Sequence, residues 1–207
     1  ELAAALSAVG QAGVTIDLPA TGDTATVTLA NPQAALDLGA IAKGYIAGLC
    51  ADQLAENGVT SAIVDLGGNI VTVGSRPDGE PFRVAVQKPF GASGEFSAVI
   101  PATNAAVVTS GTYERYFEEN GVTYHHILDP ATGYPAETGL TAVTIVCDRT
   151  VRPNAATDAD ALSTVCFLLG QEAGLALIET LDGAEALFVA ADGTVTPSSG
   201  LVWEQPE

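Results

Sequence analysis

The chain has 207 residues, and its 25 acidic and 7 basic side chains give a formal net charge of -18 at pH 7. Nucleic acid is not expected as a partner, because a phosphate backbone requires a basic face that two lysines and five arginines cannot form. Hydrophobic residues make up 47% of the chain, which is enough for one substantial core or two closely associated lobes.

The hydrophobic pattern predicts alternating strands and helices without a repeat of fixed period. Runs of antiparallel strands with helices inserted between them indicate an α+β fold with mixed or antiparallel sheets. In chain order, the pattern predicts a helix end over 2–9, strands over 14–18 and 24–29 around a turn at 20–23, a helix over 40–57, strands over 60–66, 69–74, 82–87, 96–100, 104–109, 113–118, 122–128 and 140–147, helices over 158–169 and 171–181, and short strands over 185–190 and 194–196.

No apolar run approaches the roughly 20 residues that cross a bilayer, and no basic segment followed by an apolar stretch begins the chain. We therefore expect a soluble globular protein, with any export signal or lipid anchor upstream of Glu1. Cys50, Cys147 and Cys166 lie singly in apolar surroundings, which favours buried thiols over a disulfide or a metal site.

Residues 37–45 contain an acidic residue, Asp37, followed by a glycine turn and then by the start of the predicted helix. Free backbone N–H groups at Gly39 to Ile41 and the ammonium of Lys43 would converge on a phosphate, and they would offset the repulsion that an acidic protein exerts on an anion. Asp37, one turn back, could accept hydrogen bonds from a ribose or a base. The alternative is a capped helix with an exposed lysine.

The pair Gly67 and Gly68 interrupts a predicted strand. Two glycines in a strand allow a ligand or another backbone to approach closely. A plain bulge explains them equally well.

Both histidines of the chain, His125 and His126, lie where a predicted strand runs into a Pro/Gly turn. Histidine can act as a base near neutral pH, and Asp129 could orient His126 or balance its charge. The alternative is that both are ordinary strand residues that cap the turn.

Asp160 and Thr164 are one helical turn apart, so the carboxylate and the hydroxyl face the same way. Hard oxygen ligands at this spacing suit Mg²⁺, which often takes few protein ligands and completes its shell with water and substrate phosphate. Alternatively, the acid serves the helix dipole and the threonine bonds the preceding turn.

The chain resembles the ApbE-type FAD:protein FMN transferases, also called flavin transferases, in five segments whose order and spacing agree. The segments are D-L-G-A-I-A-K-G-Y at 37–45, L-G-G-N-I at 66–70, T-S-G-T-Y-E-R-Y-F at 109–117, H-H-I-L-D-P-A-T-G-Y-P at 125–135 and A-D-A-L-S-T at 159–164. The resemblance implies a single ApbE-like, T-fold-like domain over residues 1–207. It also implies an extracytoplasmic, secreted or membrane-anchored enzyme. Such an enzyme binds FAD with Mg²⁺, releases AMP and joins FMN to a threonine or serine of an acceptor flavoprotein.

The resemblance also implies roles for individual residues. The metal ligands would be the carbonyl of Ala40 and the side chains of Asp160 and Thr164. His126 would deprotonate the acceptor hydroxyl, and its position next to Asp129, rather than the resemblance, makes Asp129 the expected catalytic partner. The expected FAD-binding residues are Asp37, Lys43, Gly67, Gly68, Ser110 and Leu128.

Departures from the family pattern occur at three positions and at the start of the chain. Ser163 stands where some members have a second acid, Thr112 where many have aspartate, and Gly48 where a helical aspartate is common. Members usually carry a longer segment before the D-L-G motif, and that segment includes aromatic contacts to the flavin. Here 36 residues precede the motif. Two alternatives therefore stay open: a pyrophosphatase that releases FMN and AMP, and a non-catalytic flavin-binding domain.

Overall fold

The computed structural model describes residues 2–18 and 24–206, so the predicted turn at 20–23 lies outside the described residues. Every strand pairing in its sheets is antiparallel, which confirms the α+β prediction in its antiparallel form. The elements are α1 (Leu2–Leu6), β1 (Val14–Asp17), β2 (Thr26–Leu29), α2 (Ala42–Glu56), β3 (Ser61–Asp65), β4 (Asn69–Gly74), β5 (Phe82–Gln87), β6 (Phe96–Ala102), β7 (Ala105–Gly111), β8 (Tyr116–Glu119), β9 (Val122–His125), β10 (Leu140–Asp148), α3 (Ala155–Ile178), β11 (Ala184–Ala190) and β12 (Val195–Pro197), with a 3-10 turn at Gln11–Gly13.

A six-stranded sheet in the order β12-β11-β10-β7-β4-β3 forms the centre of the fold. Its middle strands are buried on both faces, which explains why β7 and β10 read as nearly continuous apolar runs. In β7, Ala106 and Val108 face one core, and Ala105 and Val107 face another.

Helices α2 and α3 cover one face of this sheet. The core between them and the sheet includes Val71, Val143, Phe167, Ile178 and Phe188. Phe167 and Phe188 are among the largest fully buried side chains, so they contribute most to the apolar area removed from water.

The hairpin of β5 and β6 covers the opposite face. Val84, Val86 and Ile100 pack there against Val107 and Leu187 of the central sheet. The two layers therefore enclose the sheet, and its open edges and loop ends remain as places for a binding site.

Helix α3 is 24 residues long and apolar enough by length and composition to cross a bilayer, contrary to the sequence-based expectation. Gly170, at φ 78°, breaks it into two helical segments close to the two predicted helices. One face of α3 packs on the sheet through Phe167 and Ile178, so it is the core helix of this fold. It begins at Ala155 rather than 158, two residues after Pro153 and with Asn154 at the N-cap position.

The strands β8 and β9 are shorter than predicted, because residues 112–115 and 126–128 leave the ladder. Gly111 makes the first departure possible, since a Cβ there would lie 2.4 Å from the ring of Tyr113. The chain turns back at this point and carries Glu114 and Arg115 toward the helix layer.

Cys147 and Cys166 are free and buried, as expected, and burial raises the pKa of their thiols to about 12 and about 11. Cys50 is free but exposed on α2, so the expectation of a buried thiol is wrong there. It falls on a solvent-facing position of the helix, which the apolar neighbours in sequence did not reveal.

Candidate active site

Two glycines on α2 allow an unusually close contact with α3. A Cβ at Gly44 would lie 2.2 Å from the Ala156 carbonyl oxygen and 2.6 Å from the Asp160 Cβ, and a Cβ at Gly48 would lie 3.3 Å from the Ala156 Cβ. Since Gly44 and Gly48 are one helical turn apart, both face α3. The contact explains the glycine at position 48, where a longer side chain would separate the helices.

This contact places the backbone of α2 against the Asp160 carboxylate. The Gly44 N–H donates to Asp160 Oδ2 at 2.7 Å, and Asp160 is only 4% exposed. No lysine, arginine or histidine among the described residues forms an ion pair with Asp160. Buried carboxylates are usually paired or bound to a metal, so this one is suited to hold a cation.

Asp160 lines a cleft with a volume of about 550 Å³ between the starts of α2 and α3 and the end of β7. The cleft collects most of the residues predicted for the site, from four of the five matched segments. Its lining includes Asp37, Ala40, Lys43, Ser110, His126, Leu128, Asp160 and Thr164.

The expected metal ligands therefore share one cleft. Ser110 Oγ lies 2.7 Å from Ser163 Oγ and 3.5 Å from Thr164 Oγ1, which ties β7 to the ligand-bearing turn of α3. The described residues contain no group of three His, Cys, Asp or Glu side chains that could hold a metal. Asp160, Thr164 and a backbone carbonyl nevertheless fit Mg²⁺, which binds few protein oxygens and retains water.

The backbone before α2 differs from the prediction. The Gly39 N–H donates to Asp37 Oδ1 at 2.7 Å, and the Ile41 N–H donates to the Leu38 carbonyl at 3.1 Å. The expected set of free N–H groups at 39–41 is therefore wrong at these two residues, because a turn forms first and the helix begins only at Ala42.

Gly67 and Gly68 form the turn between β3 and β4 rather than a bulge. Both have positive φ, 61° and 91°, which favours glycine. The Gly67 carbonyl accepts a hydrogen bond from Lys43 Nζ at 3.3 Å, and the Gly68 N–H donates to Asp65 Oδ1 at 3.1 Å. The turn thus holds the Lys43 ammonium in place.

The glycine pair does not line the cleft of Asp160. It lines a neighbouring cleft of about 500 Å³, on the side of the β5–β6 hairpin. The two clefts share four lining residues, Lys43, Thr109, Glu114 and Arg115.

His126 lies at the mouth of the cleft of Asp160. Its backbone N–H and its ring Nδ1 both lie close to the Arg115 carbonyl oxygen, at 3.1 and 3.2 Å. A carbonyl only accepts hydrogen bonds, so Nδ1 carries the proton and Nε2 is left with a free lone pair. Burial lowers the pKa of His126, as do the Arg115 and Lys43 charges, while the Arg115 hydrogen bond opposes this. The ring is therefore an uncharged base at neutral pH.

The structure shows no hydrogen bond between His126 and Asp129 among the described residues. Asp129 Oδ1 accepts from the Ala131 N–H at 2.8 Å, and the Asp129 carbonyl accepts from the Gly133 N–H at 2.8 Å. Asp129 thus closes the turn that follows His126, and the Arg115 carbonyl takes the orienting role.

Glu114 and Arg115 are site residues that the sequence analysis did not single out. Burial raises the pKa of Glu114, the charges of Lys43 and Arg115 oppose this, and the Asp160 charge reinforces it. The sequence did contain a signal that could have identified Arg115 as a site residue, because it is one of only 7 basic residues and lies inside a matched segment.

Comparison with known proteins shows the family of the chain. The sequence model of the ApbE family matches residues 1–188, and the chain belongs to this family. An FAD:protein FMN transferase of Treponema pallidum (strain Nichols) is 41% identical over 200 residues, which are 93% of this chain and 52% of that protein. One from Klebsiella pneumoniae (strain 342) is 39% identical over 176 residues, 85% of this chain and 52% of the relative.

Solved structures show the same fold. The ApbE protein of Thermotoga maritima superposes with a TM-score of 0.82 at 34% identity, over 96% of this chain and 60% of that chain. The flavin transferase ApbE of Vibrio cholerae superposes with a TM-score of 0.76 at 29% identity, over 96% and 60%. The chain spans about half the length of the curated relatives it matches.

Proposed function

We propose that this chain carries the catalytic site of an FAD:protein FMN transferase, which moves FMN from FAD to a threonine or serine hydroxyl of an acceptor protein and releases AMP. The observation that carries the proposal is the single cleft in which Asp160, Thr164, Lys43 and His126 meet. These residues supply a cation site, a fixed positive charge and an uncharged base. Phosphoryl transfer depends chiefly on such positioning and neutralisation.

Asp160, Thr164 and the Ala40 carbonyl would hold Mg²⁺. When bound, the ion would neutralise pyrophosphate charge and stabilise the negative charge that develops on the departing AMP. This role suits a protein of net charge -18, which otherwise repels a dinucleotide.

The paired clefts support a dinucleotide as substrate. FAD has two large halves joined by a pyrophosphate, and the two clefts meet at Lys43 and Arg115, the cations that would contact that pyrophosphate. Leu128 lines one cleft and Tyr113 the other, so each offers an apolar surface to a ring. Asp37, which also lines the cleft of Asp160, would accept hydrogen bonds from a ribose or a base.

In the transfer step, His126 Nε2 takes the proton of the acceptor hydroxyl. The hydroxyl oxygen then attacks the phosphorus atom of the FMN half, and the bond from that phosphorus to the bridging oxygen breaks. The bridging oxygen leaves with AMP, while Lys43 and Arg115 offset the charge on the phosphate oxygens.

FAD hydrolysis is a second candidate activity. The lining of the cleft partly desolvates the His126 ring, but the residue as a whole remains exposed, so water can reach the same base as an acceptor hydroxyl. Water in place of the hydroxyl would yield free FMN and AMP.

One incubation separates these activities. The protein is mixed with FAD, Mg²⁺ and an acceptor that carries a threonine in a D-x-x-T-G-A-T-like segment, and the products are measured by mass spectrometry. A mass gain of one FMN on the acceptor supports transfer, and its absence from an acceptor with that threonine changed to alanine is the control. Free FMN and AMP without the mass gain would support hydrolysis, and no turnover would support a binding domain. An extracytoplasmic location is part of the proposal, and cell fractionation of the native host would check it.

A further inference from the structure

Asn69 is buried in a way that its own chain does not explain. Its exposure is 0%, and neither Oδ1 nor Nδ2 has a hydrogen-bond partner among the described residues. A buried amide without partners costs stability, and such a group in a native protein requires a reason.

The strand register shows which way the Asn69 side chain points. Asn69 lies directly opposite Val108, and the next pair on the same face is Val71 opposite Ala106. Val71, Ala106 and Val108 all belong to the core under α2 and α3. Directly opposed side chains lie on the same face, so Asn69 also points toward the helices.

Two contacts of the site lie near Asn69, one across the strand pair and one along the chain. Ser110 is its diagonal neighbour on β7, about 7 Å away by sheet geometry, and Ser110 Oγ bonds Ser163 Oγ of α3. Two residues before Asn69, the Gly67 carbonyl holds Lys43 of α2. The Asn69 side chain therefore lies on the face of the sheet that α2 and α3 cover, and Asp160 of α3 belongs to the same layer.

We propose that Asn69 is a positioning residue of the cation and pyrophosphate site. Asn69 lines neither cleft, so it acts through Asp160: its carboxamide gains a hydrogen bond to the Asp160 carboxylate when a divalent cation and a diphosphate enter the cleft. The group is kept unpaired in the free chain and paired in the filled site, so it contributes to binding at the expense of the free protein's stability. The inference rests on the proposed function, because it presupposes the metal and pyrophosphate half of that site.

The test uses Asn69→Leu, which removes the polar atoms and keeps a branched side chain of similar shape, and Asn69→Ala as a second variant. Thr72→Val is the matched control. Thr72 is also fully buried on β4, but its hydroxyl is paired, since it donates to the Ala105 carbonyl at 3.2 Å and accepts from the Ala105 N–H at 2.9 Å. The melting temperature is measured without ligand and with MgCl₂ plus ADP, and the Kd for ADP in Mg²⁺ is measured by calorimetry.

Without ligand, Asn69→Leu should melt at the wild-type temperature or above it, whereas Thr72→Val should melt lower. With Mg²⁺ and ADP, the wild type and Thr72→Val should gain the same increase in melting temperature, and Asn69→Leu should lose most of it. Its Kd should rise about tenfold or more, the effect of one lost hydrogen bond to a charged group.

A wild-type Kd in both Asn69 variants overturns the inference, and a drop in melting temperature like that of Thr72→Val would then assign Asn69 to a structural role. If ADP with Mg²⁺ neither raises the melting temperature of the wild type nor binds to it, the inference is overturned together with the metal part of the proposed function. The expected responses without FMN transfer to an acceptor would leave the inference standing and refute only the transferase activity.

Discussion

The Gly44 N–H donates a hydrogen bond of 2.7 Å to the Asp160 carboxylate, and this bond joins the first turn of α2 to the candidate metal ligand on α3. The bond forms only because Gly44 has no side chain, since a Cβ there would overlap the Ala156 carbonyl oxygen at 2.2 Å. Helix packing and ligand position are therefore coupled at one residue.

Gly44→Ala should force the two helices apart. We expect a loss of about 1–3 kcal/mol in the free energy of unfolding from overpacking, together with weaker Mg²⁺-dependent nucleotide binding. Urea denaturation and calorimetry measure the two effects. Gly48→Ala is the control, because its Cβ would meet only the Ala156 Cβ at 3.3 Å and should cost less. Equal effects of the two substitutions would argue against the coupling.

Asp160→Asn should abolish Mg²⁺-dependent nucleotide binding while the fold persists. The amide can still accept the Gly44 N–H through its oxygen, but it lacks the negative charge that holds a divalent cation. Calorimetric titration with Mg²⁺ and ADP measures the loss. In the control Asp158→Asn, only the ion pair of Asp158 with Arg152 at 2.8 Å is weakened, so Mg²⁺ binding should remain. Retained metal affinity in Asp160→Asn would refute the ligand assignment.

His126→Ala should lower FMN transfer by roughly 10²–10⁴-fold, the usual effect of a lost general base, and should leave FAD binding intact. Asp129→Asn is the informative partner variant, because the asparagine oxygen can still accept from the Ala131 N–H and keep the turn. We expect near wild-type transfer from it, measured as acceptor mass gain against time. A loss as large as that of His126→Ala would restore Asp129 as a catalytic partner.

The transfer rate should fall with decreasing pH, and the inflection should lie below 6.5, the ordinary histidine pKa, because burial lowers the pKa of His126. The neutral ring is the active form, so activity is complete above this lowered pKa and is lost as the pH falls through it. The profile of kcat/KM against pH measures the inflection. Glu114 has a pKa raised by burial, so Glu114→Gln is the control, and the acid limb should persist in it. An inflection above 6.5 would contradict the neutral-base assignment.

The sequence by itself determined the fold class and nearly all elements. The apolar runs of β4, β7 and β10 and the length of α2 are local patterns, so they could be read without tertiary information. Five short segments also sufficed to name the family. Most predicted site residues then proved to share one cleft.

Only the tertiary structure decided which groups contact each other within that cleft. The Arg115 carbonyl lies beside the His126 ring, the Gly44 N–H donates to Asp160, and Asn69 is buried with no hydrogen-bond partner among the described residues. Each of these contacts depends on how separate segments pack. Gly44 and Asp160, for example, are 116 positions apart in the sequence. A local pattern specifies a residue's face and its element, whereas its distance to a partner on another element is set by the packing of the whole core.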